Sequence, residues 1–438
     1  MKLRLKLFPI VFLFSIIFFV SNSNSISSQS EDLDMPVLKD DSLKTELIVD
    51  NLKFPTGMEL IGDDQFLVIE KNTGEVKLID QDKKVQTLLD LNVANKSERG
   101  LIGLAFLNNT IDKDRLDGSQ IIESDPNYVF LFVTETENED NGDILGNRLY
   151  RYEFTNMTLV NPVLLLDLPY LPGPSHNGGV IRVGPDGNIY FVMGDLNRNK
   201  DPTGDTLALN LENTFLPDGR GGILRITPDG DTVRDGFQLG NEGLLNKYYA
   251  YGIRNSFGIG FDPITGYLWD TENGSHYGDE INIIKPGFNS GWRQVLGLSP
   301  LYYNFSGKNF SSDDLITFNG NSYYADPVLM WNQTIAPTTI SFIDSTILGD
   351  KYTNDLLVAG VKNGTILHFD LNDTRTGLDL PNDLKDKIVN TPSELDDVIF
   401  GTGFALVTDI KIDHTDGDLY ILSSNPKNGK IYKISKTD

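Results

Sequence analysis

Between Phe66 and Ile434 one unit recurs six times: an apolar run of strand type, a turn often marked by Gly or Asp-Gly, and a second apolar run. Phe66–Glu70 is followed by Gly74–Ile79, Tyr128–Val133 by Arg148–Tyr152, and Ile189–Met193 by Gly222–Ile226. Tyr267–Thr271 is followed by Glu280–Ile284, Leu356–Ala359 by Thr365–Phe369, and Leu419–Leu422 by Lys430–Ile434. No convincing helical periodicity separates the copies. A small sheet unit cannot bury both of its faces alone, so repetition predicts that the units cover one another. The expected fold is all-β, a six-bladed β-propeller over residues 45–438; a large β-sandwich is the alternative. In a propeller the innermost strand of each unit starts near one mouth of a central channel. The residues that start those strands should then converge: Thr56, Glu98, His176 with Asn177, Arg254 with Asn255, Thr338 and Thr408. They make a polar funnel suited to a small polar ligand.

The richest of these starts lies in Ser175-His176-Asn177-Gly178-Gly179, which opens a hairpin turning at Pro185-Asp186-Gly187 and closing at Gly194-Asp195. The turn brings His176 and Asp195 to the same end. A histidine beside a carboxylate is either a proton acceptor with an orienting partner or a hydrogen-bonded structural pair, and spacing alone leaves both open.

The formal charge of −25 argues against a nucleic-acid partner, because phosphate would be repelled. With no cysteine, disulfides, thiolate metal sites and iron-sulfur clusters are excluded. Lys2, Arg4 and Lys6 precede the apolar run Leu7–Val20 and the polar stretch Ser21–Ser25. This layout predicts a signal peptide or N-terminal anchor over residues 1–25, hence a secreted or cell-surface protein with no other membrane span. Residues 26–44, acidic and without periodicity, are expected to be a flexible tether.

The chain from about Leu52 onward resembles the soluble quinoprotein glucose dehydrogenase and sorbosone dehydrogenase family. The resemblance rests on Arg99-Gly100-Leu101-Ile102-Gly103, His176-Asn177-Gly178-Gly179, Gly194-Asp195, Tyr251-Gly252-Ile253-Arg254-Asn255, Glu272-Asn273-Gly274 and Asp279-Glu280-Ile281-Asn282, in that order. It implies a propeller that uses pyrroloquinoline quinone (PQQ) and calcium to oxidise an aldose or related sugar and pass electrons to an external acceptor. It implies His176 as the general base, Asp195 as its orienting partner and Arg254 at the quinone. Glu98, Asn255, Thr338 and Lys362 would complete the cofactor contacts, the carbonyls of Gly274 and Ser275 would hold the calcium that orients the quinone, and Glu280, with the backbone near Ser290, a further calcium. The family's paired arginines at the start of the last unit are replaced by Leu406 and Thr408, which thins the expected cofactor clamp. Two other classes stay open: a non-catalytic propeller that binds a glycan or surface partner, and a calcium-dependent lactonase-like hydrolase. The second is disfavoured because only Glu98 and Asn255 among the strand starts offer side-chain oxygens of the kind it needs.

Overall fold

The computed structural model describes residues 35–109, 126–301, 309–318, 320–362, 364–413 and 415–437. The expected export segment lies outside them. The described strands sort into six sheets of four to six strands, mostly antiparallel. Their inner strands are Pro55–Gly62, Leu101–Leu107, Ile181–Val183, Ser256–Phe261, Pro337–Phe342 and Leu406–Ile412. Each inner strand touches the next in that order, and the last returns to the first. This closed ring of sheets is an all-β propeller. No helix among the described residues is long and apolar enough to cross a membrane.

Packing explains the repeat. The second strands Ile189–Met193, Leu268–Glu272, Leu356–Gly360 and Leu419–Ser424 are buried at every position, because each sheet has a neighbour on both faces. One apolar cluster fills each seam. Leu67, Leu104 and Leu131 join the first and second sheets, Phe132 and Phe191 the second and third, and Tyr190 and Ile259 the third and fourth. Trp269 and Val358 join the fourth and fifth, Leu357 and Ile421 the fifth and sixth, and Met58 and Tyr420 the sixth and first.

Each seam also carries a hydrogen bond between a side chain and backbone, near the starts of the inner strands. The Thr56 hydroxyl donates to the Leu101 carbonyl at 3.1 Å, the His176 N–H to Glu98 at 2.5 Å, and the Gly178 N–H to Asn255 at 3.0 Å. The Asn273 amide donates to the Pro337 carbonyl at 2.8 Å, the Thr338 hydroxyl to the Val407 carbonyl, and the Thr408 hydroxyl to the Pro55 carbonyl at 3.1 Å. The strand starts therefore converge as the repeat requires, and much of their polarity holds the ring together.

The ring is closed by its ends. Leu43–Leu52 pairs with Gly429–Lys436 and completes the sixth sheet. Val37–Leu38 pairs with Thr402 and Gly401 at the edge of the fifth. The described end of the stretch read as a flexible tether is thus partly strand, at Val37–Leu38 and from Leu43 onward, because open sheet edges offer unpaired backbone groups that a polar segment can satisfy.

Candidate functional site

The hairpin from Ile181–Val183 to Ile189–Met193 is antiparallel with Ile181 opposite Phe191, so the residues flanking it meet at one end. There His176 Nδ1 lies 2.6 Å from Asp195 Oδ1. The Asn197 N–H donates to the same oxygen at 2.8 Å, and the Trp292 indole N–H donates to Oδ2 at 2.8 Å. Burial alone would raise the Asp195 carboxyl, but His176 and these two donors outweigh it and hold the group below its ordinary range. His176 sits at φ 63°, a left-handed conformation uncommon outside glycine. Glu98 on its N–H helps fix it there.

Gly194 is required by the same packing. A Cβ there would lie 2.3 Å from the His176 carbonyl oxygen and 2.7 Å from Asn255 Oδ1. Gly194→Ala should cost about 1–3 kcal/mol of stability, read by urea unfolding, because the contacts are to fixed backbone and a buried amide.

Arg254 is buried and threaded among acids. Its N–H donates to Glu272 at 2.6 Å, its Nη1 donates to the Asn273 carbonyl at 2.6 Å, and its guanidinium stacks 5.5 Å from the Trp292 ring centroid. Burial lowers its pKa while Asp195, Glu272 and Glu98 oppose the shift. A cavity of about 260 Å³ opens onto His176, Arg254, Trp292, Asn197, Lys200 and Ser275. A second, of about 240 Å³ on the channel axis, is lined by Lys71, Glu98, Phe257, Thr338, Thr408 and Arg182. Glu98 links the two, since it faces the axial cavity and accepts from His176, Asn177 and Asn255.

The structure therefore gathers His176, Asp195 and Arg254 at one cavity, with Asn255 buried beside Glu98. It places the other predicted residues differently. The Thr338 hydroxyl is spent on the seam to Val407, so it borders the axial cavity as a brace. Lys362 is exposed and donates to the Thr334 carbonyl at 2.6 Å. Gly274 and Ser275 lie in the loop joining Leu268–Glu272 to Asp279–Ile284, whereas Glu280 is buried in the sheet. Glu280 accepts from Gly297 at 2.5 Å and from Asn282 at 3.1 Å.

Three contributors escaped the sequence reading. Trp292 stands far from His176 in the chain, and only the fold brings it onto Asp195. Lys71, its pKa lowered by burial to about 8, faces the axial cavity beside Glu98. Glu272 lies under Arg254; burial, then Glu280 and Asp270, push its carboxyl well above the usual range. The Glu272-Asn273-Gly274 motif was visible, but its acid's partner was not.

A closed ring of sheets with a buried histidine–carboxylate pair and an arginine at one polar cavity defines the class: an all-β propeller with a concave polar site at one mouth of the ring. Within that class the chain is placed by residues 52–433, which match the Glucose / Sorbosone dehydrogenase family; it belongs to that family. It is 26% identical over 293 residues to quinoprotein glucose dehydrogenase B of Acinetobacter calcoaceticus, covering 59% of this chain and 54% of that one. It is 25% identical over 206 residues to an aldose sugar dehydrogenase of Escherichia coli, covering 47% and 50%. The chain thus spans about half the length of these two relatives. In fold it is similar to the PQQ-bound aldose sugar dehydrogenase of Streptomyces coelicolor, with a TM-score of 0.62, 21% identity and coverage of 92% and 99%.

Proposed function

We propose that this protein is an exported quinoprotein oxidoreductase that oxidises an aldose or related sugar, with PQQ as cofactor and an external electron acceptor. The observation that carries the reading is the 2.6 Å contact between His176 Nδ1 and Asp195 at a cavity shared with Arg254. With Nδ1 committed to Asp195, Nε2 is the nitrogen that takes the proton from the sugar's anomeric hydroxyl, and Asp195 stabilises the imidazolium that results. Trp292 holds the carboxylate so that the imidazole keeps its aim.

The donor set fits a planar anionic quinone. Arg254 and Lys200 bring positive charge to the cavity, lying 5.5 and 5.9 Å from the Trp292 ring centroid, and both polar atoms of the buried Asn177 side chain, next to His176 in the chain, lack a hydrogen-bond partner. When bound, the quinone accepts the hydride released as the sugar's anomeric carbon is oxidised. Arg254, Asn255 and Glu98 are the residues we assign to hold it, with Lys71 as a further cation.

What supports six blades is the set of six sheets, each with its own inner strand and seam. Calcium fits the chemistry of the buried acids Asp270, Glu272 and Glu280, since Asp270 Oδ1 has no hydrogen-bond partner and oxygen ligands suit this ion. The carbonyls of Gly274 and Ser275 stay proposed ligands of a separate calcium at the quinone. Export rests on the basic and apolar N-terminal pattern.

One observation favours the non-catalytic alternative. Leu406 and Thr408 supply no cation, and the Thr408 hydroxyl is tied to Pro55. The deciding test is titration of the metal-stripped protein with PQQ, with and without calcium, followed by a panel of aldoses and an artificial acceptor. Calcium-dependent binding with sugar-driven dye reduction supports the oxidase; no binding at high micromolar PQQ overturns it. Arg254→Gln should weaken PQQ binding by at least about tenfold, since the charge-assisted contact is lost. An unchanged dissociation constant would remove Arg254 from the cofactor site.

A further inference from the structure

The fifth sheet carries a second constellation at the opposite end of its strands. In each sheet the inner strand starts, and the second strand ends, on the face that holds His176, Arg254 and Glu272. Asp355 precedes the second strand Leu356–Gly360, and Asp370 follows the third strand Ile366–Phe369, so both lie on the far face. The register pairs Leu356 with Phe369. One step further along the ladder Asp355 stands opposite Asp370, and His368, two residues before Asp370, falls on the same side.

The side chains meet as this register requires. His368 Nε2 is 3.1 Å from Asp355 Oδ2 and 3.6 Å from Asp370 Oδ1. One ligand atom from each residue lies within 4.8 Å of the other two. Ligand atoms about 2.0–2.2 Å from a tetrahedral Zn²⁺ stand roughly 3.3–3.6 Å apart, so the three need move only slightly to share an ion. The edge of the Tyr352 ring packs on His368 with centroids 5.0 Å apart, which restricts the imidazole.

Charge points the same way. Two carboxylates facing each other across a ladder repel. The neighbouring cations are engaged elsewhere: Lys351 pairs with Asp40 at 2.6 Å and Arg375 with Asp262 at 2.7 Å. The side chain of Asp370 is 64% exposed, which leaves a path for an ion from solvent. An imidazole combined with two carboxylates suits a divalent transition metal better than calcium, which prefers a shell of oxygens.

We propose that Asp355, His368 and Asp370 form a binding site for a divalent transition-metal ion of the Zn²⁺ type, with its remaining position open to water. The ion ties the turn before the second strand to the end of the third, on the face away from the sugar site. Its role is structural, and it is independent of the oxidase reading.

The test uses the full chain stripped with chelator and kept in excess calcium, titrated calorimetrically with ZnCl₂. Wild type should bind one equivalent with a micromolar dissociation constant, and Co²⁺ in its place should give visible absorption bands. His368→Gln and the exposed Asp370→Asn should each weaken binding by about tenfold or more and remove the Co²⁺ bands, with sugar-dependent activity unchanged. Absence of Zn²⁺ binding by wild type would overturn the site. So would equal affinity in wild type and Asp370→Asn, a variant whose exposure spares the fold.

Discussion

Replacing His176 with glutamine should lower kcat for sugar-dependent dye reduction by about 10²–10⁴-fold while PQQ affinity stays almost unchanged. Glutamine keeps a polar side chain of similar reach, so the cavity retains its shape, but it cannot carry the proton that leaves the sugar hydroxyl. The left-handed backbone at residue 176 is held through its N–H by Glu98, and the substitution does not touch that bond. Asp195→Asn should behave differently. It keeps the Trp292 contact within reach but offers a donor where Nδ1–H needs an acceptor, so the wrong tautomer is favoured and the rate rather than the cofactor affinity suffers. Stopped-flow reduction at saturating sugar, beside a PQQ titration of each variant, separates the two quantities. Turnover at near wild-type rate in His176→Gln would remove the assigned base.

The calcium-free protein should lose stability as the pH rises from about 5 to 8. The pairing of Leu268–Glu272 with Asp279–Ile284 sets Glu272 opposite Glu280 and Asp270 opposite Asn282, all buried. Burial raises Asp270 to about 7 and Glu280 to about 8 from ordinary values of 3.8 and 4.5. The fold therefore holds protons that the unfolded chain has already released, so stability falls with pH above the unfolded values and levels off above the folded ones. Each retained proton is worth about 1.4 kcal/mol per pH unit across that window. Carboxyls held low, such as Asp195 and Asp262, act at more acid pH and do not cancel the slope. Calcium, on our reading, replaces those protons and should flatten the profile. Glu280→Gln should reduce both the slope and the response to calcium. A melting temperature that stays level or rises between pH 5 and 8 without calcium would contradict the buried acid stack.

The central strands were plain in the sequence because a strand sandwiched between two sheets must be apolar along its length, as Ile189–Met193 and Leu356–Gly360 are. Outer strands were not. Val85–Asp90 is mostly exposed, and Val37–Leu38 lies in an acidic, aperiodic stretch. Their pairing is decided by which sheet edge stands open, a tertiary fact. The site divides along a similar line. His176 and Asp195 share one hairpin, so a local turn was enough to predict their contact. Trp292, Glu272 and Lys71 reach the site through distant parts of the ring, and no local pattern marks a tryptophan as the second partner of an aspartate. Thr338 and Thr408 were legible as polar strand starts, yet a hydroxyl that braces a seam and one that faces a ligand look alike in sequence.

The pairing of Leu43–Leu52 with Gly429–Lys436 has a consequence for how the protein is made. The two strands are separated by every other sheet of the ring, so the ring cannot close until both have been made. Contacts this remote in sequence form slowly. On the export we propose, delayed closure would leave the last sheet incomplete during transit, to be completed only on the far side.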